Sequence, residues 1–361
     1  MGLFQTGRLG RIETPNRIVM APLGRARNAD PSREPQARSA IYYAQRATAG
    51  LIISEATHVS PFSVSRPGTG AIHSAGQTSA WARVTEAVHA AGGRIFQQVF
   101  HLGRKADPER LPGGRLPVAP SPIAAAGTFA TASGPRPFPV PRALETAEIS
   151  DLVDQFRHAI ANARRAGFDG VELHAANGFL IDQFLRDGAN RRSDRYGGSV
   201  EKRARFLLEI VDQASAIFGA EGVGVRISPH ARQDGTDESD PQALYGHVAE
   251  ELDRRGIAYL HLIEPDSVAE TERVGPLLRE RFAGPLILAG EFTRDSAAAA
   301  IEAGRADFIA FGRLFIANPD LVARFRLGAA LNTPDVATFY SGGDTGYIDY
   351  PTLRGALAVA S

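Results

Sequence analysis

Short apolar, β-branched runs alternate along this chain with longer segments in which apolar residues return at helical spacing. That is the pattern of βα units around a parallel sheet. The runs predict strands at Arg17–Ala21, Leu51–Glu55, Arg94–Val99, Gly170–His174, Gly224–Ile227, Tyr259–Ile263, Leu286–Ala289 and Phe308–Phe311. Between them the spacing predicts helices at Gln36–Thr48, Ser79–Ala91, Ile149–Arg165, Val200–Phe218, Pro241–Arg255, Val274–Phe282, Arg294–Ala303 and Pro319–Leu327. Gly50, Gly92, Gly167, Gly256 and Gly304 lie just past helical or apolar stretches, where a left-handed glycine closes a helix. Eight strands alternating with eight helices imply an α/β chain closed as a (β/α)8 TIM barrel; a doubly wound open sheet is the alternative. Two segments stand outside the repeat. Residues 2–14, around Gly7 and Gly10, suit a β-hairpin plugging the barrel floor. Residues Lys105–Leu144 are rich in Pro, Gly and Ala and follow the third strand, so they fall on the face where barrel active sites are built. A lid within one domain spanning 1–361 is expected there, a surface insertion being the plainer reading.

Composition narrows the function. The 361 residues fit a barrel with insertions, and 43% hydrophobic content supports a large core. Forty basic and forty acidic residues balance, so no global field favours nucleic acid or an anionic membrane. The chain has no cysteine, which excludes disulfides, thiolate nucleophiles and Cys-ligated metals. MGLFQTGRLGRIETPNR lacks an apolar run for a signal peptide or span, and the chain reads as cytosolic.

Residues at the C-terminal ends of the strands are Pro22–Leu23–Gly24, Ala56–Thr57, Gln98, His174 to Asn177, Arg226, Gly290 and Gly312–Arg313. They are donors, small residues and fixed positive charge, with no carboxylate pair, Ser–His–Asp set or metal cluster. Such a site borrows its chemistry from an organic cofactor. Gly290 ends the seventh strand, and Gly312 with Arg313 follows the eighth. Barrels often hold a phosphate between those loops, with backbone N–H groups and a forked cation.

One stretch carries more. HAANGF, then LIDQFL, then NRRSDRYGGSVEKRARF, within residues 167–206, closely resembles the signature of the old yellow enzymes. NRIVMAPLGRAR, AGLIISEATHVS, GGRIFQQVFHLGR, AGEF, FGRLFIANPD and GYIDYPTL extend the resemblance over essentially the whole chain in the expected order.

The resemblance implies an oxidoreductase that binds FMN non-covalently, is reduced by NADPH or NADH, and passes hydride to the β-carbon of an α,β-unsaturated carbonyl or nitro compound. By matching motifs, His174 and Asn177 resemble the pair that hydrogen-bonds the substrate oxygen, where two donors stabilise developing charge. The plainer reading is a packed histidine and a helix-capping asparagine. Gln98 resembles the residue bonded to the flavin's pyrimidine ring, and Arg226 the cation beside its electron-rich edge. Pro22, Leu23 and Ala56 would line the ring, and Gly290, Gly312 and Arg313 would hold the phosphate. Phe339 and Tyr340 match an aromatic pair near flavin and substrate.

Three positions depart from the family pattern. Phe179 stands where HxxNGY carries the tyrosine that protonates the α-carbon, and phenylalanine has no proton to give. Gly24 replaces the threonine of PLTR, whose hydroxyl bonds a flavin carbonyl, a loss of about 1 kcal/mol in two-electron reduction. Phe100 occupies a position where a larger aromatic is common, which reshapes the pocket. The first expectation is an ene-reductase acting on a small activated alkene, as monomer or homodimer. Phe179 keeps a flavin-dependent isomerase or desaturase as the alternative.

Overall fold

The computed structural model describes residues 2–64, 66–131, 134–231, 234–265 and 267–353. The ends of the domain expected over 1–361 and residues 132–133 of the expected lid lie outside them. Eight parallel strands form the centre: β1 (Ile18–Met20), β2 (Leu51–Ile53), β3 (Ile95–Phe100), β4 (Gly170–Ala175), β5 (Val223–Ile227), β6 (Tyr259–Ile263), β7 (Leu286–Ala289) and β8 (Phe308–Phe311). Each pairs with the next, and β8 returns to β1 through Ile309 opposite Ile18. The sheet is therefore a closed barrel, and the open-sheet alternative falls.

Alternate residues along a strand face opposite sides. Val19, Leu51, Ile53, Phe96, Ile287 and Phe308 fill the barrel interior, while Ile18, Ile52, Ile95, Leu173 and Val225 join the core beneath the helices. On β4 to β6 the inward positions turn polar, carrying Glu172, His174, Arg226 and His261, all but Arg226 buried. That asymmetry places the chemistry in one half of the barrel.

The hairpin expected over residues 2–14 is present, with Gly7–Leu9 antiparallel to Ile12–Thr14. Gly10 turns it at φ +53°, and a Cβ there would stand 2.1 Å from the Glu221 carbonyl oxygen. Leu9 is fully buried among Phe308, Tyr259 and Ala258, so the hairpin closes the N-terminal end.

The helices are α1 (Ala37–Ala44), α2 (Ala75–Ala90), α3 (Thr146–Arg165), α4 (Leu180–Leu185), α5 (Val200–Phe218), α6 (Pro241–Arg255), α7 (Gly275–Arg281), α8 (Arg294–Glu302), α9 (Arg313–Ala317) and α10 (Leu321–Leu327). α2 begins before the expected Ser79, because Ser74 and Gln77 form a reciprocal capping box. Gly50 does not adopt the left-handed conformation expected of it. Its reason is proximity: a Cβ would lie 2.3 Å from the Asn16 carbonyl oxygen. The insertion contains two short pairings, Val118–Ala119 with Arg142–Ala143 and Thr128–Thr131 with Gly134–Pro137. Ala126 N–H donates to the Asp234 carbonyl at 2.8 Å, and Arg192 Nη1 donates to the Pro120 carbonyl at 3.0 Å. These bonds tie it to the loops after β5 and β4.

Candidate active site

At the C-terminal mouth of the barrel lies a cavity of about 810 Å³. Its walls bring together Pro22, Leu23, Arg226, Gly290, Gly312 and Arg313, residues expected there from strand ends far apart in sequence. Arg313 is exposed at the start of α9. Gly290 and Gly312 both lack positive φ. A Cβ at Gly290 would meet its nearest protein atom at 3.5 Å, and at Gly312 at 3.3 Å. The backbone therefore does not demand glycine at either place. What the missing Cβ atoms preserve is room for a ligand against the main chain. Gly24 is exposed, and a Cβ there would have no atom within 4 Å.

Inside the barrel a polar layer organises the site. Gln98 Nε2 donates to Glu172 Oε1 at 2.7 Å, and His261 Nδ1 meets Glu172 Oε2 at 2.8 Å. Burial alone would raise the Glu172 carboxyl, but His261, Arg226 and Gln98 outweigh it and hold the group below its ordinary range. Burial lowers Arg226, with Glu172 opposing. Arg226 Nε is a buried donor with no hydrogen-bond partner among the described residues, on a side chain that lines the cavity. An acceptor on a bound ligand would satisfy it.

β4 delivers His174 at its end. Burial, helped by the charge of Arg226, keeps this imidazole well below its ordinary pKa and therefore neutral. Its Nδ1 is buried and unpartnered among the described residues. The ring meets Phe179 edge-on at 4.8 Å and stacks on Phe100 at 6.1 Å. Phe100, Phe179 and Ala56 belong to one apolar cluster with Leu111. Asn177 adopts φ +56°, held by its N–H donating to Ser228 Oγ at 2.7 Å. It does not cap α4, whose N-cap is Phe179, so the helix-capping reading fails.

The terminal aromatics are not members of that cluster. Phe339 is half-buried and its carbonyl accepts from Arg25 Nε at 3.0 Å. Tyr340 is 54% exposed, with Arg66 3.8 Å over its ring. Sequence reasoning missed Lys105. Its Nζ lies 5.0 Å from the Phe179 ring centre, 3.0 Å from the Asn177 carbonyl and 3.2 Å from Asp234 Oδ2. Glu172 and His261 were also missed. The available signal was polar residues at inward strand positions, two residues from His174 and Tyr259 respectively. No His, Cys, Asp and Glu group suited to a metal occurs among the described residues, and no helix there is long and apolar enough to cross a membrane.

A closed barrel with a glycine-lined, arginine-bearing cavity above buried polar donors is the form of an enzyme site that suits a phosphorylated organic ligand. Residues 2–332 match the model of the NADH:flavin oxidoreductase / NADH oxidase family. The chain is 43% identical over 343 residues to the "Probable flavin mononucleotide-dependent alkene reductase" of Leishmania infantum, covering 94% of each. It is 40% identical over 355 residues to 12-oxophytodienoate reductase 1 of Oryza sativa subsp. japonica, covering 96% of this chain and 92% of that one. Among solved structures, morphinone reductase in complex with tetrahydroNAD superposes with TM-score 0.94 at 49% identity, covering 98% of both chains. The old yellow enzyme homologue from Zymomonas mobilis gives TM-score 0.94 at 42% identity, covering 98% of this chain and all of that one (100%). The chain belongs to the NADH:flavin oxidoreductase family, the old yellow enzymes. It is an FMN-dependent enzyme reduced by a nicotinamide nucleotide.

Proposed function

We propose that this enzyme reduces the C=C bond of α,β-unsaturated carbonyl or nitro compounds at the expense of NADPH or NADH. The observation that carries the reading is His174, a neutral buried imidazole at the end of β4 whose Nδ1 has no partner among the described residues, three positions before Asn177. Bound FMN supplies the hydride chemistry. The chain's own residues do the rest. Arg313, with the main chain at Gly290 and Gly312, would hold the phosphate. Arg226 would offer its free Nε to the ring's acceptors, and Gln98, fixed by Glu172, would present its remaining polar atoms to the ring. Pro22, Leu23, Gly24 and Ala56 would line that ring, with Phe339 near it.

His174 and Asn177 bind the substrate's oxygen and stabilise the charge that gathers there as the β-carbon gains hydride. A neutral imidazole donates a hydrogen bond without handing over its proton. Phe100 and Phe179, with Tyr340, would shape the substrate pocket, and the described part of the insertion would cover it as a lid. The relatives' names support this class: one is an alkene reductase, others reduce 12-oxophytodienoate and morphinone.

A second reading rests on Phe179. With no phenol to protonate the α-carbon, net isomerisation or desaturation competes with reduction. Anaerobic bleaching of the yellow protein by NADPH or NADH, followed by recolouring with an enone, tests the first reading. Bleaching with no response to any enone, nitroalkene or maleimide would transfer support to the second.

A further inference from the structure

The polar layer inside the barrel includes a charge that the proposed reaction leaves unused. Glu172 is fully buried on β4, two residues before His174 and opposite Gln98 of β3. Both its oxygens are committed within the protein, one to Gln98 Nε2 at 2.7 Å and the other to His261 Nδ1 at 2.8 Å. Burial lowers His261, with Glu172 opposing. That imidazole is therefore neutral, and since an ionised carboxylate only accepts, its one proton sits on Nδ1.

Arg226 stands on β5, opposite His174 of β4 on one side and His261 of β6 on the other. It makes no salt bridge with Glu172, yet the two charges feel each other. Glu172 opposes the lowering that burial imposes on the arginine, and Arg226 helps His261 keep the carboxyl charged. With both histidines neutral, these five side chains carry one cation and one anion. Arg226 belongs to the wall of the main cavity and Glu172 does not, so the cation is the nearer of the two to a ligand there. Burying such charges is costly, and apolar residues of similar volume often stabilise a core as well or better. Val19, Leu51, Ile53 and Ile287 fill the rest of this barrel in that way. Stability alone gives no reason for a carboxylate here.

We propose that Glu172, a positioning residue rather than a catalytic one, sets the reduction potential of the bound flavin by offsetting the charge of Arg226. The proposal rests on the placement of Arg226 at the ring. A hydride from the nicotinamide brings two electrons and one proton, so the reduced ring carries one more negative charge than the oxidised ring. Arg226 favours that charge and Glu172 opposes it. The balance keeps the reduced flavin ready to give its hydride away.

The test is an anaerobic redox titration of the FMN-loaded enzyme against dyes of known potential. It compares wild type, Glu172→Gln, and Glu172→Gln combined with Arg226→Met. The amide keeps the carboxylate's shape and can still accept from Gln98, and the double variant buries no unmatched charge, so both should fold; Tm and the bound flavin's spectrum report it. Glu172→Gln should favour the reduced flavin by about tenfold or more, a positive shift of at least ~30 mV for two electrons. Removing Arg226 as well should take that gain back. A potential at or below that of wild type in Glu172→Gln, while the double variant falls lower still, overturns the proposal alone. Loss of FMN from a folded Glu172→Gln overturns it too, the residue then being structural. If the double variant keeps the full shift of the single one, Arg226 does not address the ring, and the proposal falls with the placement beneath it.

Discussion

Replacing Phe179 with tyrosine adds one hydroxyl to a half-buried ring whose edge faces His174 at 4.8 Å and which meets Phe100 at 5.0 Å. The ring can keep both contacts, and its polar tip can reach water, so the fold should lose less than about 1 kcal/mol. Whether the new phenol can act as an acid depends on Lys105. An ammonium 5.0 Å from the ring centre would favour the phenolate by ~3 kcal/mol at an effective dielectric constant of about 20. The Asp234 carboxylate 3.2 Å from the same Nζ cancels most of that. The phenol therefore titrates near its ordinary value of about 10 and keeps its proton at neutral pH. General-acid catalysis supplies at least about tenfold, or ~1.4 kcal/mol of barrier. The gain should appear with 2-cyclohexenone, which needs prompt protonation, and hardly with nitroalkenes, whose anions are stable. Steady-state kcat for both substrates in wild type and Phe179→Tyr gives the ratio, and deuterium incorporation from heavy water shows whether protonation becomes stereospecific. A wild type that already favours cyclohexenone, together with an unchanged ratio in the variant, would refute the reasoning and leave Phe179 a packing residue.

Four further outcomes are expected. Combining His174→Ala with Asn177→Ala should abolish alkene reduction while FMN stays bound, as absorbance after gel filtration will show; near-normal turnover would remove the oxygen-binding role. Arg313→Ala should weaken FMN retention by about tenfold or more, the worth of a charge-assisted hydrogen bond, and unchanged retention in equilibrium dialysis would count against the phosphate assignment. Gly24→Thr meets open space and should make two-electron reduction of the bound flavin easier by about 1 kcal/mol, read as a positive shift of its midpoint potential; no shift would mean the hydroxyl finds no flavin partner. Burial depresses His58, His101, His174 and His261. The unfolded chain then takes up these protons first, so stability present above about pH 6.5 is lost as pH falls through that value. His101 alone, at about 3, contributes ~2 kcal/mol of loss at about pH 5. Glu55, raised by burial to about 7, acts in the opposite sense, as do Asp182 and Glu238, also raised by burial; with His73 the depressed imidazoles number five against these three carboxyls. Tm should fall between about pH 7 and pH 5, and a Tm that rises would contradict the sign.

The barrel was legible because its punctuation was. β6, β7 and β8 match their expected bounds residue for residue, each an apolar run stopped by a charged residue or glycine. α5 and α6 match equally well, being long enough for 3.6-residue periodicity to show. α4 and α9 have six and five residues, too few for a period to emerge. At the site, Arg226 and Arg313 were visible as polar breaks at strand ends. Lys105 was not, because its place beside Phe179 and Asn177 arises only when the loop after β3 meets the loop after β4. Nor could sequence show that Gln98 leans on Glu172, since a strand's residue types do not reveal which neighbour faces them across the barrel.

The hairpin at the barrel floor has a bearing on how the molecule is made. Its residues leave the ribosome before almost everything they rest against. Gly7 abuts Phe308, whose ring would stand 2.5 Å from a Cβ. Arg11 donates to the carbonyls of Phe218 and Asp169, and Gly10 leaves space for Glu221. For most of translation the apolar Leu9 has no seat, and pairing within a two-stranded hairpin is marginal by itself. The segment must wait, exposed, until β8 has been synthesised and the ring of strands can shut. Nascent chains truncated before Phe308 should accordingly be the ones that chaperones hold and proteases trim at the amino end.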